Sequence, residues 1–371
     1  MNPLRRYPIL RSLLSPFRRS QQKTCAALVA ALCQTAQASS FAIAGQLACL
    51  TEVQFGSALT RLYRFLRNER FDNWLLTERL LHLLAQPNKS LLLALDWTAW
   101  QDRFSVLTAS VCLGTRSIPI AVSACVKRQL ARSQNLWEET FLRLVVDHLC
   151  AAGGKAIWLC DRGFHRVAWL AKLIELKQQF VVRLQRDVTV HLPDQVCLLK
   201  SLEVSLGESG DFGFVRLRAD EFVTVRLIGV WAEGAEEVWW LATNLQNRVS
   251  KIVALYDRRM GIEEQFRDAK GVRFGLKLKW TQFTKAEFVE RMYLLVGIAL
   301  LLWTSVGRMV EQAQPKVRLE SKTKGARLSL ARIGSYYWQK VTKQLKLTTR
   351  FVRAHLPPRL RMFKWLMAPQ K

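Results

Sequence analysis

The sequence predicts an α/β fold, in which helices pack on a mixed sheet that is interrupted by an all-β insertion and flanked by helical N- and C-terminal regions. Two continuous apolar runs of strand length, LLLALD at 91–96 and AIWLCD at 156–161, enclose two more β-rich runs and an amphipathic helical stretch at 136–150. Strands followed by a helix and a returning strand are typical of an α/β core. From about 180 to 245 strand patterns recur without a convincing helix, which predicts the insertion.

Residues 1–88 are expected to form a basic arm and a helical DNA-binding region. The first 23 residues contain six Lys or Arg and no acid, which is typical of a flexible arm. Residues 24–51 carry no charge and fit an alanine-rich helical hairpin better than a signal peptide, because polar residues follow the apolar stretch. In the next helix Arg61, Arg64 and Arg67 lie opposite the apolar face, a pattern that DNA contact and a merely solvated face share.

The remaining boundaries follow from changes of pattern. Residues 89–185 are the first part of the core, residues 186–245 the β-rich insertion, and residues 246–310 the second part of the core. Within the last of these, the apolar run Met292–Val306 is too short to span a bilayer, so we predict a buried helix there. Residues 311–371 form a basic helical C-terminal region.

Net charge indicates the class of partner. The 371 residues contain 56 Lys and Arg against 29 Asp and Glu, a net charge of +27, and half are hydrophobic. Such a chain folds, and it favours nucleic acid first and an anionic membrane surface second as its partner. Residues 312–371 hold fifteen of the basic residues against Glu320 alone. Between Glu203 and Glu237, by contrast, eight acids face three arginines, so the insertion should turn at least one face away from a polyanion.

Two acids stand at the ends of the buried apolar runs. Asp96 and Asp161 each follow five apolar residues, and parallel strands of an open sheet present such side chains to a site at its edge. One such Asp commonly caps the next turn, but two in matched positions favour a shared site. Carboxylates with no nearby His or Cys prefer hard cations such as Mg²⁺ or Mn²⁺.

A third carboxylate lies in the stretch YDRRMGIEEQFRDAK at 256–270. If this stretch is one helix at about 100° per residue, a single polar stripe about 60° wide carries Tyr256, Arg259, Glu263 and Lys270. Glu264 falls well outside it, so the spacing selects Glu263. Arg267 falls near the same stripe, one turn beyond Glu263, where it would either face DNA or form an i,i+4 salt bridge with Glu263. A salt-bridged surface helix would have the same pattern.

These residues carry a resemblance to a known family. The spacing Tyr-x2-Arg-x3-Glu-x6-Lys resembles the motif of the cut-and-paste DDE transposases of bacterial insertion sequences, in the family numbered four. The D-x-T at Asp96, the D-R-G-F box at 161–164 and the T-N-L at 243–245 strengthen the match. The resemblance covers roughly residues 55–305.

The resemblance implies a ribonuclease-H-like catalytic core with the insertion between its second Asp and its Glu. It implies two Mg²⁺ ions per site, for which Mn²⁺ substitutes, with Asp96 bridging them and Asp161 and Glu263 each holding one. The partners would be double-stranded DNA, namely transposon terminal inverted repeats and target DNA, and a homodimer would form in the DNA-bound complex. The residues expected to contact DNA are Tyr256, Arg259, Lys270, Arg267, Arg162, Trp239 and Trp240, with Trp231 as a further candidate for stacking on a flipped base.

Other functions share part of this pattern. A non-catalytic DNA-binding repressor or an inactivated transposase relic would keep the basic ends without an intact triad. A nuclease unable to join strands is a third possibility, and a basic protein of the membrane surface is the weakest. We expect no membrane partner and a cytoplasmic, nucleoid-associated location.

Overall fold

The computed structural model describes residues 3–86, 88–130, 133–218, 222–271, 276–278, 281, 283–313 and 328–357. Its N-terminal part is helical, and the helices are α1 (Pro3–Arg6), α2 (Pro8–Leu13), α3 (Arg19–Thr35), α4 (Ser40–Thr51), α5 (Phe55–Leu66) and α6 (Asn73–Leu84). The helical pattern predicted for residues 24–88 is therefore confirmed.

The flexible arm expected over residues 1–23 is wrong. Helices α1 and α2 pack into the protein, and Tyr7, Leu10 and Phe17 are buried there. The basic residues alternate with these apolar side chains, so the segment has a face to bury despite its charge. Composition alone concealed that face.

The core begins with an antiparallel β-meander followed by a crossover. The strands are β1 (Ser90–Trp100), β2 (Phe104–Leu113), β3 (Arg116–Val126), β4 (Lys155–Cys160) and β5 (Gln179–Leu184). Helix α7 (Gln134–Ala151) joins β3 to β4, and α8 (Val167–Glu175) joins β4 to β5. Because β4 lies parallel to both β1 and β5, the carboxyl ends of these three strands meet at one edge.

The second group of strands continues the same sheet. These strands are β6 (Thr189–His191), β7 (Val196–Leu198), β8 (Ser209–Arg218), β9 (Phe222–Val230) and β10 (Trp239–Thr243). The full order is β3-β2-β1-β4-β5-β10-β9-β8-β6-β7, and β10 pairs antiparallel with β5. The predicted mixed α/β class is confirmed, but the β-rich segment extends the core sheet instead of forming a separate one.

The two faces of the sheet bury different clusters. Leu92 and Ala94 of β1 join a cluster with residues of the helix that follows β10, α9 (Val249–Asp257). Leu93 and Leu95 point to the opposite face and join the larger cluster that contains Phe141 of α7. This alternation follows from the period of two in a strand.

Four more helices complete the described chain: α10 (Gly261–Lys270), α11 (Ala286–Ala313), α12 (Leu330–Gln344) and α13 (Thr349–Ala354). In the described part of the chain, α11 is the single helix long and apolar enough to cross a bilayer, and α3 with α4 passes only as a pair bent by 110°. In the most apolar 18-residue window of α11, 89% of the residues are buried. The helix packs against α12, α3 and β3, which agrees with the buried helix predicted for Met292–Val306. Of the basic C-terminal region, residues 314–327 and 358–371 lie outside the described residues.

Candidate active site at the sheet edge

The two strand-end aspartates lie side by side. In the parallel pair of β1 and β4, Leu95 is the partner of Cys160, so Asp96 and Asp161 each follow the last paired residue of adjacent strands. Asp161 also caps the short 3-10 turn after β4, and its Oδ1 accepts a hydrogen bond from the Gly163 N–H at 2.9 Å. Both sequence interpretations of Asp161, turn cap and shared site, therefore fit its position.

Glu263 reaches this edge from a bent helix. The helix expected to run continuously through 256–270 breaks into α9, a 3-10 turn at Arg258–Met260 and α10. Two contacts fix the break to the turn between β2 and β3. Arg258 donates to the Gly114 carbonyl at 2.7 Å, and a Cβ on Gly261 would lie 3.0 Å from the Arg116 carbonyl carbon. A side chain at this position would have to push the Arg116 backbone away, so glycine favours the close approach.

Arg259 lies between two of the acids. Its Nη1 lies 3.4 Å from Asp96 Oδ2, and its Nη2 donates to Glu263 Oε1 at 2.8 Å. The exposed fraction is 8% for the Arg259 side chain and 17% for that of Asp96, against 46% for Glu263. The guanidinium therefore supplies the positive charge that makes burial of this cluster tolerable.

The charges shift each other's protonation. Burial, together with the negative charge of Asp161, raises the pKa of the Asp96 carboxyl to about 7, although Arg259 opposes this. Burial lowers the pKa of the Arg259 guanidinium, but Tyr256, Asp96 and Asp161 outweigh burial and raise the pKa above its ordinary value. Three carboxylates around one guanidinium leave the edge with an excess of negative charge, which favours a further cation.

The side chains at this edge have the chemistry that a divalent cation prefers, but they are not arranged around a common metal position. Among the described residues, no three or more His, Cys, Asp or Glu side chains are placed to hold a metal ion. The Glu263 carboxylate is paired with Arg259. The donors nearby are carboxylate oxygens, the ligands that Mg²⁺ and Mn²⁺ prefer.

Tyr256 and Lys270 also lie at this edge, where Tyr256 packs against Arg259 and Lys270 bonds to β1. Tyr256 is buried, with 2% exposed, and its ring lies 5.9 Å from the Arg259 guanidinium carbon. Burial raises the pKa of the Tyr256 hydroxyl to about 12. Lys270 Nζ donates to the Thr98 hydroxyl and to the Ala99 carbonyl. In this state neither residue presents a free polar group to DNA.

A cavity of about 460 Å³ opens beside the acids, and Trp239, Arg162, Arg183 and Glu237 contribute to its lining. The Trp239 ring contacts Tyr256, with centroids 5.7 Å apart, and lies 5.5 Å from the Arg183 guanidinium carbon. Glu237 Oε1 accepts from Arg162 at 3.0 Å and from Arg183 at 2.7 Å. Sequence reasoning missed Arg183 and the pairing role of Glu237, because only the folded sheet brings β5 and the turn before β10 together.

The other tryptophan candidates lie elsewhere. Trp240 is buried, with 3% exposed, and packs against Phe212, so its DNA contact stays a prediction that would require this packing to open. Adjacent strand residues point to opposite faces, which is why only Trp239 reaches the cavity. The Trp231 indole donates to the Ala235 carbonyl at 3.1 Å.

Arg267 lies one turn beyond Glu263 on α10. It pairs with Glu264 at 2.8 Å, and 71% of its side chain is exposed. Glu264 also pairs with Arg116 of β3 at 2.9 Å. Arg116 lies 2.9 Å from Asp268 as well, so the two ion pairs fix α10 to β3. The salt bridge from Arg267 to Glu263 considered from the sequence is wrong, because Arg267 pairs instead with Glu264, the acid three residues before it on the same helix.

Exposed basic side chains lie at both ends of the described chain. Arg64 on α5 and Arg67 directly after it are exposed. Near α12 and α13, Lys340, Lys343 and Lys346 are exposed as well, and the described residues 328–357 contain no Asp or Glu. These surfaces are suited to a polyanion.

Comparison with known proteins gives one match. A family model described as a transposase DDE domain matches residues 89–302, more than half of the chain. The matched region contains the whole sheet, both strand-end aspartates and Glu263. A search of curated proteins found no match.

Proposed function

Because this chain belongs to the DDE transposase family, we propose that it catalyses the cut-and-paste transposition of an insertion sequence by cleaving its ends and joining their 3′ hydroxyls to target DNA. One observation carries the proposal: Asp96, Asp161 and Glu263, from three separate segments, meet around Arg259 at one edge of the sheet. We assign the chain to the group with the Tyr-Arg-Glu-Lys motif, and its core to the ribonuclease-H-like fold.

The three acids would hold two divalent cations, Mg²⁺ or Mn²⁺. When bound, such ions activate the attacking water or 3′ hydroxyl and stabilise the departing oxygen. Asp96 would be the bridging ligand in this proposal, because strand pairing places it beside Asp161 and Arg259 links it to Glu263. Glu263 closes the site once its carboxylate turns away from Arg259, which is then free to bind a phosphate oxygen.

The cavity beside Asp161 would receive the DNA next to the scissile bond. Arg162 and Trp239 line it and are placed to contact a phosphate and a base. Lys270 would approach a phosphate only after leaving Thr98, and Tyr256 would act through Arg259. Arg267 is exposed and would contact DNA farther from the acids.

Sequence-specific binding of the transposon ends is proposed for residues 1–88. Three residues separate α4 from α5, the connection length of a helix-turn-helix motif, and Arg64 on the second helix and Arg67 directly after it are exposed. Residues 311–371 would add phosphate contacts. Residues 186–245 would be the insertion of the core, although their strands extend the core sheet. Joining two ends requires two active sites, so we propose a DNA-bound homodimer in the cytoplasm, associated with the nucleoid.

Cleavage and joining of end-bearing DNA test the proposal. Duplexes that carry the inverted repeats flanking the gene are incubated with the protein and Mg²⁺, and nicked, cut and joined products are separated. We expect both cut and joined products, and none with chelator. Binding without cleavage would support the repressor or relic instead, and cleavage without joining would indicate a nuclease.

A further inference from the structure

A buried carboxylate outside the acid cluster lies behind the two strand-end aspartates. Glu138 of α7 has 1% of its side chain exposed, and α7 covers the face of the sheet opposite α10. Its Oε1 accepts from the Trp97 indole at 2.7 Å and from Gln134 at 2.8 Å, and its Oε2 accepts from Arg166 at 2.5 Å. A buried acid with this many partners is unusual where an apolar side chain would fill the space.

One arm of this network ends at Asp96. Trp97 donates twice: its indole N–H to Glu138, and its backbone N–H to Asp96 Oδ1 at 2.8 Å. Consecutive strand residues point to opposite faces, so Asp96 faces α10 while Trp97 faces α7. The position of the Trp97 side chain is therefore coupled to the orientation of the Asp96 carboxylate.

The other arm ends near Asp161. Arg166 lies five residues after Asp161 and directly precedes α8. Its backbone carbonyl accepts a hydrogen bond from the Trp169 N–H at 3.0 Å, which ties it to the first turn of that helix. The intervening 3-10 turn is closed by the Phe164 N–H, which donates to the Asp161 carbonyl at 3.1 Å. Arg166 also lies 3.7 Å from Glu139. Holding Arg166 thus holds the short turn that Asp161 caps.

We infer that Glu138 is a positioning residue, which fixes the separation of Asp96 and Asp161 by joining Trp97 to Arg166. The inference rests on the proposed function, in which those two aspartates share a divalent cation. Ligands of a shared ion must be held to within a fraction of an ångström, and groups behind the ligands commonly supply that restraint. Glu138 contacts neither DNA nor the metal ligands directly.

The test is the substitution Glu138→Gln, which keeps the size of the side chain and an acceptor for Trp97. The amide turns a donor toward the Arg166 guanidinium, so the turn after Asp161 loses its anchor. We expect Mn²⁺ binding, followed by the electron paramagnetic resonance signal of free Mn²⁺, to weaken about tenfold. The cleavage rate at saturating DNA should fall similarly, while the DNA concentration for half-maximal rate stays unchanged.

Two further variants separate positioning from stability. Arg143→Gln, on the same helix, removes an ion pair with Glu175 in which both side chains are 54% exposed, and it should change neither Mn²⁺ binding nor cleavage. Glu138→Gln alone should lower thermal stability, because it sets an amide donor against the Arg166 guanidinium. The double variant Glu138→Gln with Arg166→Met removes that guanidinium, so thermal stability should recover. Mn²⁺ binding should not recover, because the two arms remain unjoined.

The outcomes are distinct. If the double variant recovers Mn²⁺ affinity together with stability, Glu138 is only a structural residue and the inference is wrong. If the original protein binds Mn²⁺ and cleaves DNA but Glu138→Gln does both equally well, the inference alone fails. If the original protein neither binds Mn²⁺ nor cleaves, the proposed function and the inference fail together.

Discussion

Glu290 on α11 makes stability depend on pH in a way that can be measured. Its Oε1 accepts from the Ala124 backbone N–H of β3 at 2.7 Å, and its Oε2 lies 3.4 Å from Asn73 Nδ2 of α6. Burial raises the pKa of the Glu290 carboxyl to about 7 from an ordinary value of 4.5, and the negative charge of Glu287 adds to the shift. The folded protein therefore prefers the protonated acid.

The sign and size follow from linkage. Because the pKa is higher in the folded than in the unfolded protein, the contribution of Glu290 to stability is full below about pH 4.5 and is lost as the pH rises through about 7. The difference between a pKa of 4.5 and one of about 7 corresponds to at most about 3.4 kcal/mol. The side chain is only partly buried, so we expect about 2 kcal/mol after solvent screening.

Glu290→Gln imitates the protonated acid at every pH. Its amide nitrogen would stand where Oε2 now faces Asn73 Nδ2, and once the Asn73 amide turns over, it can donate to Asn73 Oδ1, a buried acceptor without a partner among the described residues, while its oxygen still accepts from Ala124. Urea unfolding at about pH 5 should give nearly equal free energies for the two proteins, and at about pH 8.5 the variant should be more stable by about 2 kcal/mol. Glu203→Gln, at an exposed position outside this cluster, is the control. A constant difference at both pH values would refute the reasoning.

Three other changes test separate parts of the molecule. Alanine at Asp96, Asp161 or Glu263 should abolish Mg²⁺-dependent cleavage and leave DNA binding in gel shifts intact. Glu264→Ala, by contrast, should lower the stability of the protein and leave cleavage unchanged. Glu237→Gln should free two arginines and raise DNA affinity severalfold at low salt, with a steeper salt dependence; an unchanged slope would contradict this. Gly334→Ala places a Cβ 1.8 Å from the Trp303 carbonyl oxygen, so it should separate α12 from α11 and lower the urea midpoint, unlike Gly45→Ala, where nothing lies within 4 Å.

The sequence predicted the strands and the acids best where burial dictates the pattern. The runs before Asp96 and Asp161 are apolar on both faces because helices cover both sides of the sheet, and that pattern depends little on distant contacts. The same physics made the two acids conspicuous, since a carboxylate at the end of a buried run needs a partner. Their side-by-side position then followed from parallel pairing.

Prediction failed where a distant contact decides the local structure. The 3-10 turn at 258–260 exists because Arg258 and Gly261 dock on the turn between β2 and β3, and a helical wheel contains no information about that turn. Likewise, propensity identified the strands of residues 186–245 but not the sheet they would join, because β10 pairs with β5 across a long separation in sequence.

The arginines around the candidate site share one feature, which links the two ligands the protein is proposed to bind. Each is paired with a carboxylate: Arg259 with Asp96 and Glu263, and Arg162 with Glu237. Cations compete with these arginines for the acids, and phosphates compete with the acids for the arginines. A cation that takes Glu263 releases Arg259 for a phosphate, and a phosphate that takes Arg259 releases Glu263 for a cation. Because such coupling is reciprocal in free energy, metal and DNA should each strengthen the binding of the other at this edge of the sheet.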